Sequence, residues 1–125
     1  MSKMLIVDDE EKIRAVVREY AEFEEFEVTE ARDGMEAVAL CRENDYDIII
    51  MDVMMPEMDG LEAAKAIRAL DRPDAKAIPI IAMTANVFKE DREKCLAAGM
   101  NAHLSKPLDA ETMKRTISEQ LKKLN

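Results

Sequence analysis

The sequence predicts an α/β domain of five strand–helix repeats built around a parallel sheet. Short continuous apolar runs alternate with runs of 3.6-residue period along all 125 residues, and a single helix separates each strand signal from the next. No linker, low-complexity segment or long loop interrupts that alternation. Strands joined through single helices pair in parallel by right-handed crossovers, which places helices on both faces of the sheet. The length suits one domain, residues 1–125.

Met4, Leu5, Ile6 and Val7 form a buried-strand signal that stops at Asp8 and Asp9. Ile13, Val16, Val17, Tyr20 and Phe23 then recur at helical spacing, with Glu and Arg assigned to the opposite face. Phe26 to Glu30 alternates as a second, less buried strand, and the Glu-rich stretch from Glu22 to Glu30 reads as a solvated helix end and edge strand. After Asp33 and Gly34, the residues Ala37, Val38 and Cys41 mark the second helix. Ile48 to Met51 is apolar on both faces and mostly β-branched, as a central parallel strand requires. A loop holding Pro56 and Gly60 leads to Leu61, Ala64, Ile67 and Leu70, the third helix. Residues 78–83 form the fourth strand, with Pro79 at its start because proline removes a ladder donor. Residues 87–98 form the fourth helix, closed by Gly99 in a left-handed cap. Asn101 to Leu104 is the fifth strand, and Met113, Ile117, Leu121 and Leu124 give the last helix its inner stripe.

Composition narrows the function. Charged residues at 36% and the absence of an apolar run near 18 residues exclude a membrane-spanning chain, and no signal peptide opens the sequence. Lys+Arg 18 against Asp+Glu 27 leaves a net charge of −9, which argues against nucleic-acid binding but not against binding a cation. Cys41 and Cys95 fall in helical patterns, which points to free thiols and a reducing, cytoplasmic location. The ten methionines read mainly as core filler.

In doubly wound sheets, sites form at the carboxyl ends of the strands. There stand Asp8 and Asp9 after strand 1, Asp52 after strand 3, Thr84 after strand 4, and Lys106 with Pro107 after strand 5. Each has an ordinary explanation alone: a helix cap, a turn, a surface lysine, a helix-opening proline. Together they gather three carboxylates on one rim, an arrangement that mutual repulsion disfavours unless a cation neutralises it. Hard oxygen ligands suit Mg²⁺ rather than zinc, since neither cysteine nor the single histidine, His103, joins them.

The runs LIVDDE, DIIIMDVMMPEMDG, IIAMTA and LSKPLD resemble the receiver domain of two-component response regulators over essentially the whole chain. The resemblance implies a flavodoxin-like sheet of strand order 2-1-3-4-5. It implies that Asp52 accepts a phosphoryl group from a phosphohistidine on a sensor histidine kinase or histidine phosphotransfer protein. It makes Asp9, Asp52 and the Met54 carbonyl direct Mg²⁺ ligands, with Asp8 acting through water. Thr84 and Lys106 then contact phosphoryl oxygens, and the Lys106–Pro107 bond is cis. The same resemblance implies a phosphoacceptor that assists its own phosphorylation and slow dephosphorylation, not an enzyme acting on a separate substrate. The partner surface would comprise the fourth helix, the fifth strand and the last helix, with the downstream protein unspecified.

Two features depart from the family pattern or tune it. His103 occupies the switch position, where Tyr or Phe is usual; burying less apolar area, it would separate the inward and outward states by less free energy. The resemblance also implies that Met54 and Asn86, each two residues beyond a site residue, flank the path of the hydrolytic water, and Met54 offers no acid or base. Three other readings compete. A haloacid-dehalogenase-type phosphatase would need Asp and Thr where Met54 and Pro56 stand. A flavin or nucleotide carrier would need phosphate donors where Asp8 to Glu11 stand, and more than 4% aromatics. An interaction module that is never phosphorylated would not need all five site types.

Overall fold

The computed structural model describes residues 2–85 and 89–122. The elements run β1 (Lys3–Val7), α1 (Glu11–Phe23), β2 (Glu27–Ala31), α2 (Gly34–Glu43), β3 (Ile48–Asp52), α3 (Gly60–Arg68), α4 (Pro73–Ala77), β4 (Ile80–Thr84), α5 (Lys89–Ala97), β5 (Ala102–Ser105) and α6 (Ala110–Lys122). The five strands form one parallel sheet in the order β2-β1-β3-β4-β5, as expected.

Alternation along the strands sends successive side chains into two cores. Leu5, Val7, Ile49, Met51, Ile80 and Ala82 pack with residues of α2, α3, α4 and α5 on one face. Met4, Ile6, Ile48, Ile50, Ile81 and Met83 pack with Val17 and Ala21 of α1 and Met113 and Ile117 of α6 on the other. All five residues of β3 are buried, as its two apolar faces require. Met4, Met51, Met55, Met83, Met100 and Met113 are buried filler, while Met35 and Met54 are exposed. Both cysteines are buried and free.

Helix starts follow side-chain chemistry. Asp33 accepts from the Glu36 N–H at 2.8 Å to cap α2, and Asp59 and Glu62 form a reciprocal capping box on α3. Gly99 has φ +100°, in the left-handed region expected for a helix cap.

The structure corrects several details. Strands β2, β4 and β5 are shifted by one or two residues from their apolar runs, because pairing, not hydrophobicity, sets their ends. The additional short helix α4 fills the stretch before β4; Pro73 opens it in a position where its missing N–H costs nothing. Leu70 lies beyond the end of α3, in the turn that follows. On α1 the buried stripe is Arg14, Val17 and Ala21, whereas Val16 and Phe23 are 49% and 84% exposed. Phe23 and Val16 instead line a shallow surface groove with Tyr20, Leu108 and Met113. Leu124 and the first residues of the expected fourth helix lie outside the described residues.

Candidate functional site: an acidic rim at the strand ends

β1, β3 and β4 lie side by side, so whatever follows their last apolar residues is brought together. Asp8 directly follows β1, and its N–H continues the ladder to the Ala31 carbonyl at 3.2 Å. Asp52 is the last residue of β3, paired in register with Met83. Thr84, one position further along β4, pairs with Ser105, and its carbonyl accepts from the Lys106 N–H at 2.9 Å. One carboxylate oxygen each from Asp8, Asp9 and Asp52 falls within 4.8 Å of the others. Asp8, Asp52 and Thr84 are buried, while Asp9 faces solvent. The ammonium of Lys106 stands 3.3 Å from Asp52 Oδ1 and 3.4 Å from Asp8 Oδ2. The Lys106–Pro107 peptide is cis.

Burial, and then the charge of Asp8, push the Asp52 carboxyl up to about 6 against the pull of Lys106 and the Met54 N–H. Burial likewise raises Asp8, opposed by the Glu10 N–H and Lys106. Lys106 is held above its ordinary value: burial disfavours its charge, but Asp52 and then Asp8 outweigh it. One ammonium therefore faces two buried carboxylates and leaves the rim short of positive charge. Asp8 Oδ2 is buried with no hydrogen-bond partner. A buried carboxylate oxygen that accepts no hydrogen bond and shares a single ammonium with Asp52, in an all-oxygen cluster exposed at Asp9, fits a hard divalent cation.

Met54 is 71% exposed, and its N–H donates to Asp52 Oδ1 at 3.3 Å. His103 lies inside β5 and not at its end, half-buried and opposite Ala82. Asn86 lies outside the described residues.

Two contributions were not legible as site features. A Cβ on Gly60 would meet the Asp52 carbonyl at 2.2 Å and Val53 Cα at 2.9 Å, so only glycine lets the β3–α3 loop close over Asp52. Arg14, assigned by residue type to the solvated face of α1, is buried beside Asp8. Its spacing of three and seven residues from Val17 and Ala21 was the available signal.

Residues 4–118 match the family model of the response regulator receiver domain. Among curated proteins, the chain is 40% identical over 106 residues to the transcriptional regulatory protein SrrA of Staphylococcus aureus, covering 85% of this chain and 42% of that one. It is 34% identical over 149 residues to the probable histidine kinase 1 of Oryza sativa subsp. indica, covering 96% of this chain and 15% of that one. The chain thus spans less than half the length of these relatives. Among solved structures, the chemotaxis protein CheY4 of Vibrio cholerae superposes with a TM-score of 0.89 at 36% identity, covering 95% and 98% of the two chains. The receiver domain of the sensor histidine kinase PA1611 of Pseudomonas aeruginosa, with a magnesium ion coordinated in its active site cleft, gives 0.87 at 35% identity, covering 96% and 97%.

Proposed function

The chain belongs to the response regulator receiver domain family, and on that premise we propose that it is a phosphorelay switch whose Asp52 takes a phosphoryl group from a phosphohistidine in a Mg²⁺-dependent step. One observation carries this reading: Asp52 is buried at the end of β3, within 4.8 Å of Asp8 and Asp9 and 3.3 Å from Lys106. Asp9, Asp52 and the Met54 carbonyl would hold the ion directly, and Asp8 through water. Bound there, Mg²⁺ offsets the repulsion between an anionic nucleophile and an anionic phosphoryl group.

The rest is the work of the chain's own groups. An oxygen of Asp52 forms the new P–O bond as the P–N bond of the donor breaks. The imidazole leaves with the electron pair and takes a proton from solvent. Lys106 pairs with one phosphoryl oxygen, and the Thr84 hydroxyl donates to another. Phosphorylation adds roughly two negative charges and new acceptor oxygens to this rim. Thr84 follows them inward, His103 turns in the space beside it, and the surface of α5, β5 and α6 changes. The donor is a sensor histidine kinase or a histidine phosphotransfer protein of the cytoplasm. The chain acts as a phosphoacceptor that assists its own chemistry rather than as an enzyme with a separate substrate. No helix among the described residues is long and apolar enough to cross a membrane.

Incubation with a small phosphodonor and Mg²⁺, read as a gel-mobility shift, tests this. The wild-type protein shifts, whereas Asp52→Asn folds and does not, because an amide is not a competent acceptor. Lys106→Ala still labels to some degree. Labelling of Asp52→Asn at the wild-type level would place the acceptor elsewhere.

A further inference from the structure

Two arginines of α1 converge on one carboxylate of β2. Glu30 accepts from Arg14 Nε at 2.9 Å and from Arg18 Nε at 2.6 Å. Arg14 also reaches the acidic rim: its Nη1 donates to the main-chain carbonyl of Asp8 at 2.8 Å in a buried hydrogen bond. Asp8 is thereby held at three atoms. Its N–H donates to Ala31, its carbonyl accepts from Arg14, and its Oδ1 accepts from the Glu10 N–H at 2.9 Å. The remaining polar atom, Oδ2, accepts no hydrogen bond and stands 3.4 Å from the Lys106 ammonium, and one of the two carboxylate oxygens groups with Asp9 and Asp52.

Charge makes the arrangement selective. A lone guanidinium this close to the rim would compete with a cation for the same carboxylates. Burial works against ionised Glu30, but Arg18 and then Arg14 hold its carboxyl below the ordinary value, so it stays charged; together with Glu22, whose Oε2 accepts from Arg18 Nη1 at 3.2 Å, it balances the two guanidiniums. Arg14 therefore supplies a directed donor with little net positive charge.

We propose that Arg14 is a positioning residue of the divalent-cation site. Through the Asp8 carbonyl it fixes the β1–α1 turn so that Asp8 and Asp9 face Asp52 before any ion arrives, and Glu30 keeps its charge from opposing the ion. The inference rests on the reading of the rim as a Mg²⁺ site. The competing account is an α1–β2 ion pair that only stabilises the fold.

Calorimetric titration with MgCl₂ separates the two accounts, alongside amide chemical shifts of Glu10 and Asp52 and thermal melts in EDTA. Wild type is titrated first; failure to bind would overturn the Mg²⁺ reading and this inference with it. Given wild-type binding, Arg14→Met should weaken Mg²⁺ affinity about ten-fold, the scale of losing a group that orients a ligand. Arg14→Lys, which keeps one donor, should recover part of that loss. Arg18→Met removes the other Glu30 partner without touching Asp8; it should lower the melting temperature in EDTA yet bind Mg²⁺ like wild type. Arg14→Met that folds and binds with wild-type affinity overturns the proposal. If Arg14→Met fails to fold, Arg14→Lys and Glu30→Gln decide. Glu30→Gln leaves the guanidinium unneutralised and should weaken binding several-fold, and wild-type affinity in both variants is the overturning result.

Discussion

The charge on Asp52 works against the metal-free fold. Its carboxyl, pushed from 3.8 up to about 6 in the folded chain, binds its proton more tightly there than in the unfolded one. The stabilisation this gives is fully present below the unfolded value and is lost as pH rises through about 6. Asp8 is shifted in the same direction. Glu30, held below its ordinary value, behaves oppositely and loses its contribution as pH falls through the carboxylate range. Asp52→Asn should therefore stabilise the metal-free protein at pH 7 by on the order of 1–2 kcal/mol, with the gain shrinking towards pH 4.5. Thermal melts in EDTA at the two pH values check this; a variant less stable than wild type at pH 7 contradicts it. Met54 is exposed and contributes a main-chain donor to Asp52, so Met54→Asn should leave folding intact and change the decay rate of the phosphorylated protein, timed by loss of label. At this scale the sequence is legible wherever an apolar run breaks abruptly into a polar residue, which is how Asp8, Asp52 and Thr84 declare themselves; Lys106, one residue further on after Ser105, is marked by the proline that follows it. Arg14 does not, because a charged residue on a helix reads as solvated until Glu30 is placed across from it.

Among the elements, helix α1 shows what periodicity leaves open. Its apolar residues cover more of the cylinder than the sheet can bury, so spacing alone fits either side. The structure turns Val17 and Ala21 inward and leaves Phe23 84% exposed. Phe23→Ala should therefore change stability by no more than about 0.5 kcal/mol, whereas Val17→Ala, at a fully buried position, should cost about 2 kcal/mol. Urea denaturation distinguishes them, and equal losses would mean that the face is misassigned. The rear of the molecule depends on charge that periodicity cannot report. Arg68 of α3 donates to the Gly99 carbonyl at 3.0 and 2.7 Å, to the Ala75 carbonyl at 3.0 Å and to Asn101 Oδ1 at 2.8 Å. It thereby joins α3, α4, the end of α5 and the start of β5. Arg68→Met leaves these acceptors without that donor and should cost about 2–3 kcal/mol in the same assay. Helix α4 escaped the sequence reading for a related reason: five residues opened by a proline are too short to show a period.

For the whole molecule, alternating strand and helix signals were enough to give five parallel strands with helices on both faces. The order in which they pair was not in that pattern, since hydrophobic spacing is indifferent to which strand lies beside which; the family resemblance supplied it. That order concentrates acidic groups on one rim of a chain already at −9. Any cation relieves the overall charge by screening, whereas only binding at the rim relieves the repulsion there. The two effects separate at matched ionic strength. Sodium chloride should move the melting temperatures of wild type and Asp52→Asn by similar amounts. Mg²⁺ should stabilise wild type further, by about 2.7 kcal/mol at a free concentration one hundred times its dissociation constant, and the variant, lacking one carboxylate ligand, by much less. The stability ranking of the two proteins should then invert between EDTA and saturating Mg²⁺. Parallel shifts in both salts would mean that the rim is only a concentration of surface charge, because a site built to hold the ion must lose that stabilisation with its central carboxylate.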